Sequence, residues 1–131
     1  MIGLDTNVLV RYVLGDDPIH GPKAKALIDS FTNENPGWIA RGSLLEMEWL
    51  FRRRYKMNRE ALATVLTGLL SRGDLVIEGT GEVVKALGLF RRGRAEFSDC
   101  LIGVCAREAG CESVYTFDRI AARDAGMELI K

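Results

Sequence analysis

Asp5, Glu46, Asp99 and Asp118 are the residues of this sequence whose types and settings could do chemistry. Asp5 follows the run Met1-Ile2-Gly3-Leu4 and Asp118 follows Ser113-Val114-Tyr115-Thr116-Phe117, so each carboxylate arrives where a strand ends and a helix begins. Glu46 falls one turn into a helix opening at Ser43, and Asp99 in the first turn of a helix opening at Ser98. In a parallel α/β sheet all four places belong to the edge at the carboxyl ends of the strands, where functional groups collect. Each acid also has an ordinary structural explanation. Asp5-Thr6-Asn7 offers three N-caps in a row, Ser43 with Glu46 spells a capping box, and an acid such as Asp99 in a first turn is favoured by the helix dipole. Those explanations take the acids singly and leave a convergence unexplained. Carboxylates gathered on one rim repel and raise one another's pKa unless a cation neutralises them. Oxygen-only donors, with no His or Cys in attendance, select Mg²⁺ or Mn²⁺ over zinc, and such ions serve phosphate chemistry.

The elements that must position these acids alternate along the chain. The first strand ends at Leu4, and a short apolar helix from Val8 to Leu14 stops at the breaker cluster Gly15-Asp16-Asp17-Pro18. Pro22 suits the first turn of a second helix with Ala24, Leu27, Ile28 and Phe31 on one face. Trp38-Ile39-Ala40, bounded by Pro36-Gly37 and Gly42, is the second strand. The helix from Ser43 is apolar over more than one face, through Leu44, Leu45, Met47, Trp49, Leu50 and Phe51, which suggests core on one side and a partner on the other, while Glu48 faces elsewhere and is expected in solvent. Asn58 caps a helix running to Ser71, with Ala61, Leu62, Val65, Leu66, Leu69 and Leu70 as a broad stripe for the core or a subunit interface. Leu75-Val76-Ile77 is the third strand, and Thr80 caps a helix turning Val83, Val84, Leu87 and Phe90 inward. Ser98 caps the next, with Leu101, Ile102, Val104, Cys105 and Ala109 buried. Ser113–Phe117 is a fourth strand, a short helix runs to Ala125, and Met127–Ile130 is the last strand.

A chain of 131 residues with 47% hydrophobic content is expected to fold as one domain over residues 1–131, burying roughly two-thirds of its unfolded surface. Lys plus Arg and Asp plus Glu number 18 each, so no global field announces a nucleic-acid or membrane partner and any electrostatic site must be local. Cys100, Cys105 and Cys111 lack CxxC spacing, and the lone histidine, His20, is distant in sequence. Reduced, mostly buried thiols are expected, rather than a zinc site. With no leader pattern and no apolar run of membrane-spanning length, a soluble cytoplasmic protein is expected.

Two basic clusters stand out. Arg52-Arg53-Arg54-Tyr55-Lys56 fits a dipole-complementing helix end, with phosphate contact as the competing reading. Arg91, Arg92 and Arg94, around Gly93 and just upstream of Asp99, fit either a solvated turn or a hold on phosphates.

The sequence resembles the PIN-domain ribonucleases, and most closely the VapC-type toxins of toxin-antitoxin pairs. The pieces that match are Leu4-Asp5-Thr6-Asn7-Val8-Leu9, Ser43-Leu44-Leu45-Glu46, Phe97-Ser98-Asp99-Cys100-Leu101-Ile102 and Val114-Tyr115-Thr116-Phe117-Asp118-Arg119. The resemblance implies a three-layer α/β fold, a parallel five-stranded sheet flanked by helices, with Asp5, Glu46, Asp99 and Asp118 as the acidic Mg²⁺ or Mn²⁺ site. Thr6, Asn7 and Thr116 would support those acids. It implies metal-assisted hydrolysis of RNA phosphodiester bonds, with Arg91, Arg92 and Arg94 ahead of Arg52 to Arg54 in holding RNA. A homodimer and a cognate antitoxin are implied as partners. Two other classes compete: a non-catalytic α/β module that binds RNA or a protein while its acids cap helices, and a haloacid-dehalogenase-type phosphatase. The phosphatase mechanism wants a second Asp two residues after the first, where this chain has Asn7.

Overall fold

Apolar triplets bounded by turn residues become strands in the computed structural model, which describes residues 1–131. The chain divides into two compact units, residues 1–78 and residues 79–131.

In the first unit β1 (Ile2–Leu4), β2 (Gly37–Ile39) and β3 (Leu75–Ile77) form a parallel sheet in that order, with Leu4, Ile39 and Ile77 in register. Those three side chains are buried. Helices α1 (Thr6–Leu14), α2 (His20–Asp29), α3 (Arg41–Arg53) and α4 (Arg59–Leu70) complete the unit. Two of their ends follow the sequence signals closely. Gly15, at the end of α1, takes the left-handed conformation (φ 63°) that a side chain would strain. The Asn58 side chain accepts the Ala61 N–H at 2.8 Å and caps α4.

Helix α3 differs from expectation. It begins at Arg41, two residues before Ser43, and its N-cap, Ala40, supplies no side-chain bond. The orphan Arg41 N–H instead donates to Oε1 of Glu78, at the exit of β3, at 2.9 Å. The Ser43–Glu46 capping box therefore does not form. The buried stripe of the helix is Leu44, Met47, Glu48 and Phe51, a regular one-face spacing that leaves Trp49 half exposed. Glu48, expected in solvent, is fully buried and accepts from Arg52 Nε at 3.0 Å, one helical turn on.

The second unit contains α5 (Thr80–Arg92), α6 (Phe97–Glu108), β4 (Tyr115–Thr116), α7 (Arg119–Asp124) and β5 (Glu128–Leu129). Helices α5 and α6 share an apolar seam in which Phe90 and Phe97 meet edge-on, 6.1 Å between centroids. Val84 and Ile102, expected inside, are exposed; Ala86 and Gly103 take the buried positions. Helix α6 starts at Phe97 with Glu96 as its cap, so Ser98 lies inside it. Strands β4 and β5 pair in parallel, Tyr115 with Glu128 and Thr116 with Leu129.

All five expected strands exist and every pairing is parallel, but they form a three-stranded and a two-stranded sheet rather than one sheet of five. Tyr115 and Phe117 are exposed, and the β4–β5 ladder is two residues long. No helix is long and apolar enough to cross a membrane.

Candidate active site of two acidic surfaces

In the first unit the acids are brought to one recess. Asp5 leaves β1 in an extended conformation and caps α1, its Oδ1 accepting the Thr6 N–H at 2.7 Å. The capping explanation is thus correct, yet it occupies only one carboxylate oxygen, because Oδ2 makes no hydrogen bond. Glu46 projects from the second turn of α3 and is exposed, with no hydrogen bond or ion pair of its own. Both acids line an open recess of about 500 Å³, together with Thr6, Asn7, Arg11, Arg54 and Tyr55. Thr6 is buried and Asn7 exposed. Two carboxylates facing three groups able to bind anions or stack on rings make a recess suited to a phosphate bearing a base.

The second unit carries the other two acids. Asp99 sits half buried in the first turn of α6. Asp118, exposed, caps α7 by accepting the Ala121 N–H at 2.9 Å, and its own N–H donates to Thr116 Oγ1 at 3.0 Å. That bond ties the Thr116 side chain to the backbone of Asp118. Arg92 lines a hollow with Lys85, Gly88, Arg107 and Glu108, which neither Asp99 nor Asp118 lines. The Arg94 N–H donates to Asp124 Oδ2 at 2.8 Å. Arg123 grips both oxygens of Asp124, and these bonds hold its carboxyl at about 2, below the ordinary 3.8.

A model of the PIN domain matches residues 2–126, nearly the whole chain and across both units. The chain belongs to the PIN-domain family. No curated protein matches it. PIN domains are generally nucleases that use divalent metal ions, so the haloacid-dehalogenase phosphatase reading falls away.

The donor chemistry of this PIN domain can be tested against such an ion. Within each unit no three His, Cys, Asp or Glu side chains stand close enough to hold a metal by themselves, so neither unit alone is a protein cage. What the first unit offers is a pair of exposed carboxylates at one recess, free of His and Cys. Mg²⁺ suits that arrangement, since it keeps several waters and takes one or two carboxylates plus substrate phosphate oxygens. The residues fit the ion in kind and in number for that mode.

Sequence reasoning missed the place of Arg11 in the recess and the burial of Glu48, and it ranked Arg54 behind the arginines that end α5 as a hold on RNA. The Glu48–Arg52 spacing of four was a legible signal for the buried pair.

Proposed function

We propose that this PIN domain is a metal-dependent endoribonuclease in which Asp5, Glu46, Asp99 and Asp118 are the acidic set, acting within a single domain over residues 1–131. The observation that carries the reading is the exposed Asp5 and Glu46 pair lining one recess in a chain that matches the PIN domain over residues 2–126. Asp5 and Asp99 are the best direct ligands, with Asp118 and Glu46 completing the set directly or through water. When bound, Mg²⁺ or Mn²⁺ supplies Lewis acidity, which lowers the pKa of water and stabilises developing negative charge. The chain's own share is to fix the acids. The Thr6 N–H bonded to Asp5 and the Ala121 N–H bonded to Asp118 would hold two of the four carboxylates before substrate arrives. Asn7, at the lip of the recess, is placed to hydrogen-bond to a phosphate oxygen or to an acid. The lone histidine, exposed His20, lines a different hollow, so a histidine-based ribonuclease mechanism lacks its residues.

The family resemblance extends the proposal to a toxin of a toxin-antitoxin pair, cytoplasmic, homodimeric and covered by a cognate antitoxin.

The test is metal titration with two readouts. Purified protein should cleave RNA with Mg²⁺ or Mn²⁺ and stop with EDTA, and its melting temperature should rise with metal in the absence of RNA. Helix-capping acids that do not act together would give neither response. That outcome would leave the alternative, a non-catalytic module binding RNA or protein.

A further inference from the structure

The end of α3 is built in an unusual way, and its construction bears on the recess. The Tyr55 N–H donates to Leu50 O at 3.2 Å and the Met57 N–H to Phe51 O at 2.8 Å, bonds that reach five and six residues back and close the helix end more widely than an ordinary helical turn. Lys56 sits at the left-handed position, φ 55°, where glycine is the usual occupant. Just before that residue, Arg54 and Tyr55 both line the recess that holds Asp5 and Glu46. The Tyr55 ring is 40% exposed and is braced by the fully buried Phe51, edge to face at 6.2 Å. Its hydroxyl makes no hydrogen bond, and the Arg54 guanidinium makes no ion pair. Arg11, the other cation of the recess, is partly engaged by Asp17 at 3.6 Å.

From this placement we infer that Arg54 and Tyr55 form an RNA-binding subsite in which the guanidinium takes a backbone phosphate and the phenol ring stacks on an unpaired base, delivering single-stranded RNA to the Asp5–Glu46 recess. This deepens the nuclease reading and rests on it for the word delivering. A free cation beside acids that would repel a polyanion gives the phosphate a partner. A braced, half-exposed ring loses little freedom on stacking, and every base offers it a face, so the contact is tolerant of sequence. Bases inside a duplex are stacked already, which makes an unpaired segment the substrate class.

Binding of a fluorescein-labelled single-stranded RNA, followed by anisotropy in EDTA so that no cleavage intervenes, tests the subsite. Tyr55→Ala should weaken binding by about 5- to 150-fold, the loss of one stacked base, while Tyr55→Phe keeps it. Tyr55→Leu, which preserves the packing on Phe51, should resemble Tyr55→Ala and serves if the alanine variant unfolds. Arg54→Gln should reduce the slope of log affinity against log salt by about 0.7. A duplex of the same sequence should bind more weakly. Folded Tyr55→Leu and Arg54→Gln proteins that bind like the parent would overturn the inference, as would a parent that binds duplex equally well or no RNA at all. A parent that binds through these two residues yet never cleaves with Mg²⁺ or Mn²⁺ upholds the subsite and removes the nuclease reading instead.

Discussion

Helices α3 and α5 both end in a run of arginines, and they end differently. Helix α3 runs out through a left-handed Lys56, and Arg54 and Tyr55 just before it line the recess holding Asp5 and Glu46. Helix α5 closes on Gly93 in an extended conformation (φ −128°, ψ −158°) and is tied to α7, because Asp124 accepts the Arg94 N–H. A Cβ on Gly93 would stand 2.8 Å from the Asp124 Cβ, so the tie demands the missing side chain. In sequence the two clusters are alike, and the one ending α5 is better placed by order along the chain, because it precedes Asp99. The backbone at each helix end decides which cations are offered to an acidic recess and which part of the chain is fastened down.

The largest effect expected from breaking this contrast is on the acids of the recess. Asp5→Asn keeps the cap, since the amide oxygen can still accept the Thr6 N–H, and removes only the charge. It should lower metal-dependent RNA cleavage by at least about 100-fold, more than is lost when a mere outer partner of a metal ligand is removed, with the melting temperature in EDTA unchanged or raised. Glu46→Gln should behave likewise, and full cleavage by either variant would exclude that residue from the site. Next in size is Gly93→Ala. Its methyl meets a side chain locked by Arg123 and Arg94, and overpacking of this kind costs about 1–3 kcal/mol, read as a lower urea midpoint.

A smaller effect should follow acid. The Asp124 carboxyl is held at about 2, chiefly by the Arg123 bond and then by the Arg94 N–H. Its contribution to stability is complete above the unfolded value near 3.8 and is lost as pH falls through the folded one. Asp124→Asn should therefore flatten stability between about pH 4 and pH 2. It should do so only in part, because Asp74, lowered by its bonds to Arg72, titrates in the same sense. The smallest change expected is Lys56→Gly, which relieves the left-handed strain and should stabilise by about 0.5–1 kcal/mol. An unchanged melting temperature would show that the α3 turn stores no strain.

Much of the fold is legible in the sequence because it is local. Asp5 at a strand exit, Asn58 and Asp118 as caps and Gly15 as a stop depend on near neighbours, and each sits where the residue types say. The start of α3 depends instead on Glu78, distant in sequence, which satisfies the Arg41 N–H and lets the helix begin before Ser43. The same long-range determination hides the burial of Glu48. An acid two residues from Glu46 reads as solvated until the stripe through Leu44, Met47 and Phe51 is fixed by its neighbours. Pairing among strands is the least legible feature, since short apolar runs carry no label for the strands they will join. Nothing in the arginine clusters themselves tells the α3 end from the α5 end, and the positive φ of Lys56 is a conformation its residue type disfavours.

The cysteines carry one practical consequence for any weighing of the protein in solution. Cys100 is enclosed, but Cys111 follows the left-handed Gly110 on an outer turn and its thiol faces water. In air two molecules can be joined there by oxidation, giving a covalent pair with the mass of a homodimer and none of its packing. An oligomer that dissolves on adding reductant, or disappears in Cys111→Ser, would be such a cross-link.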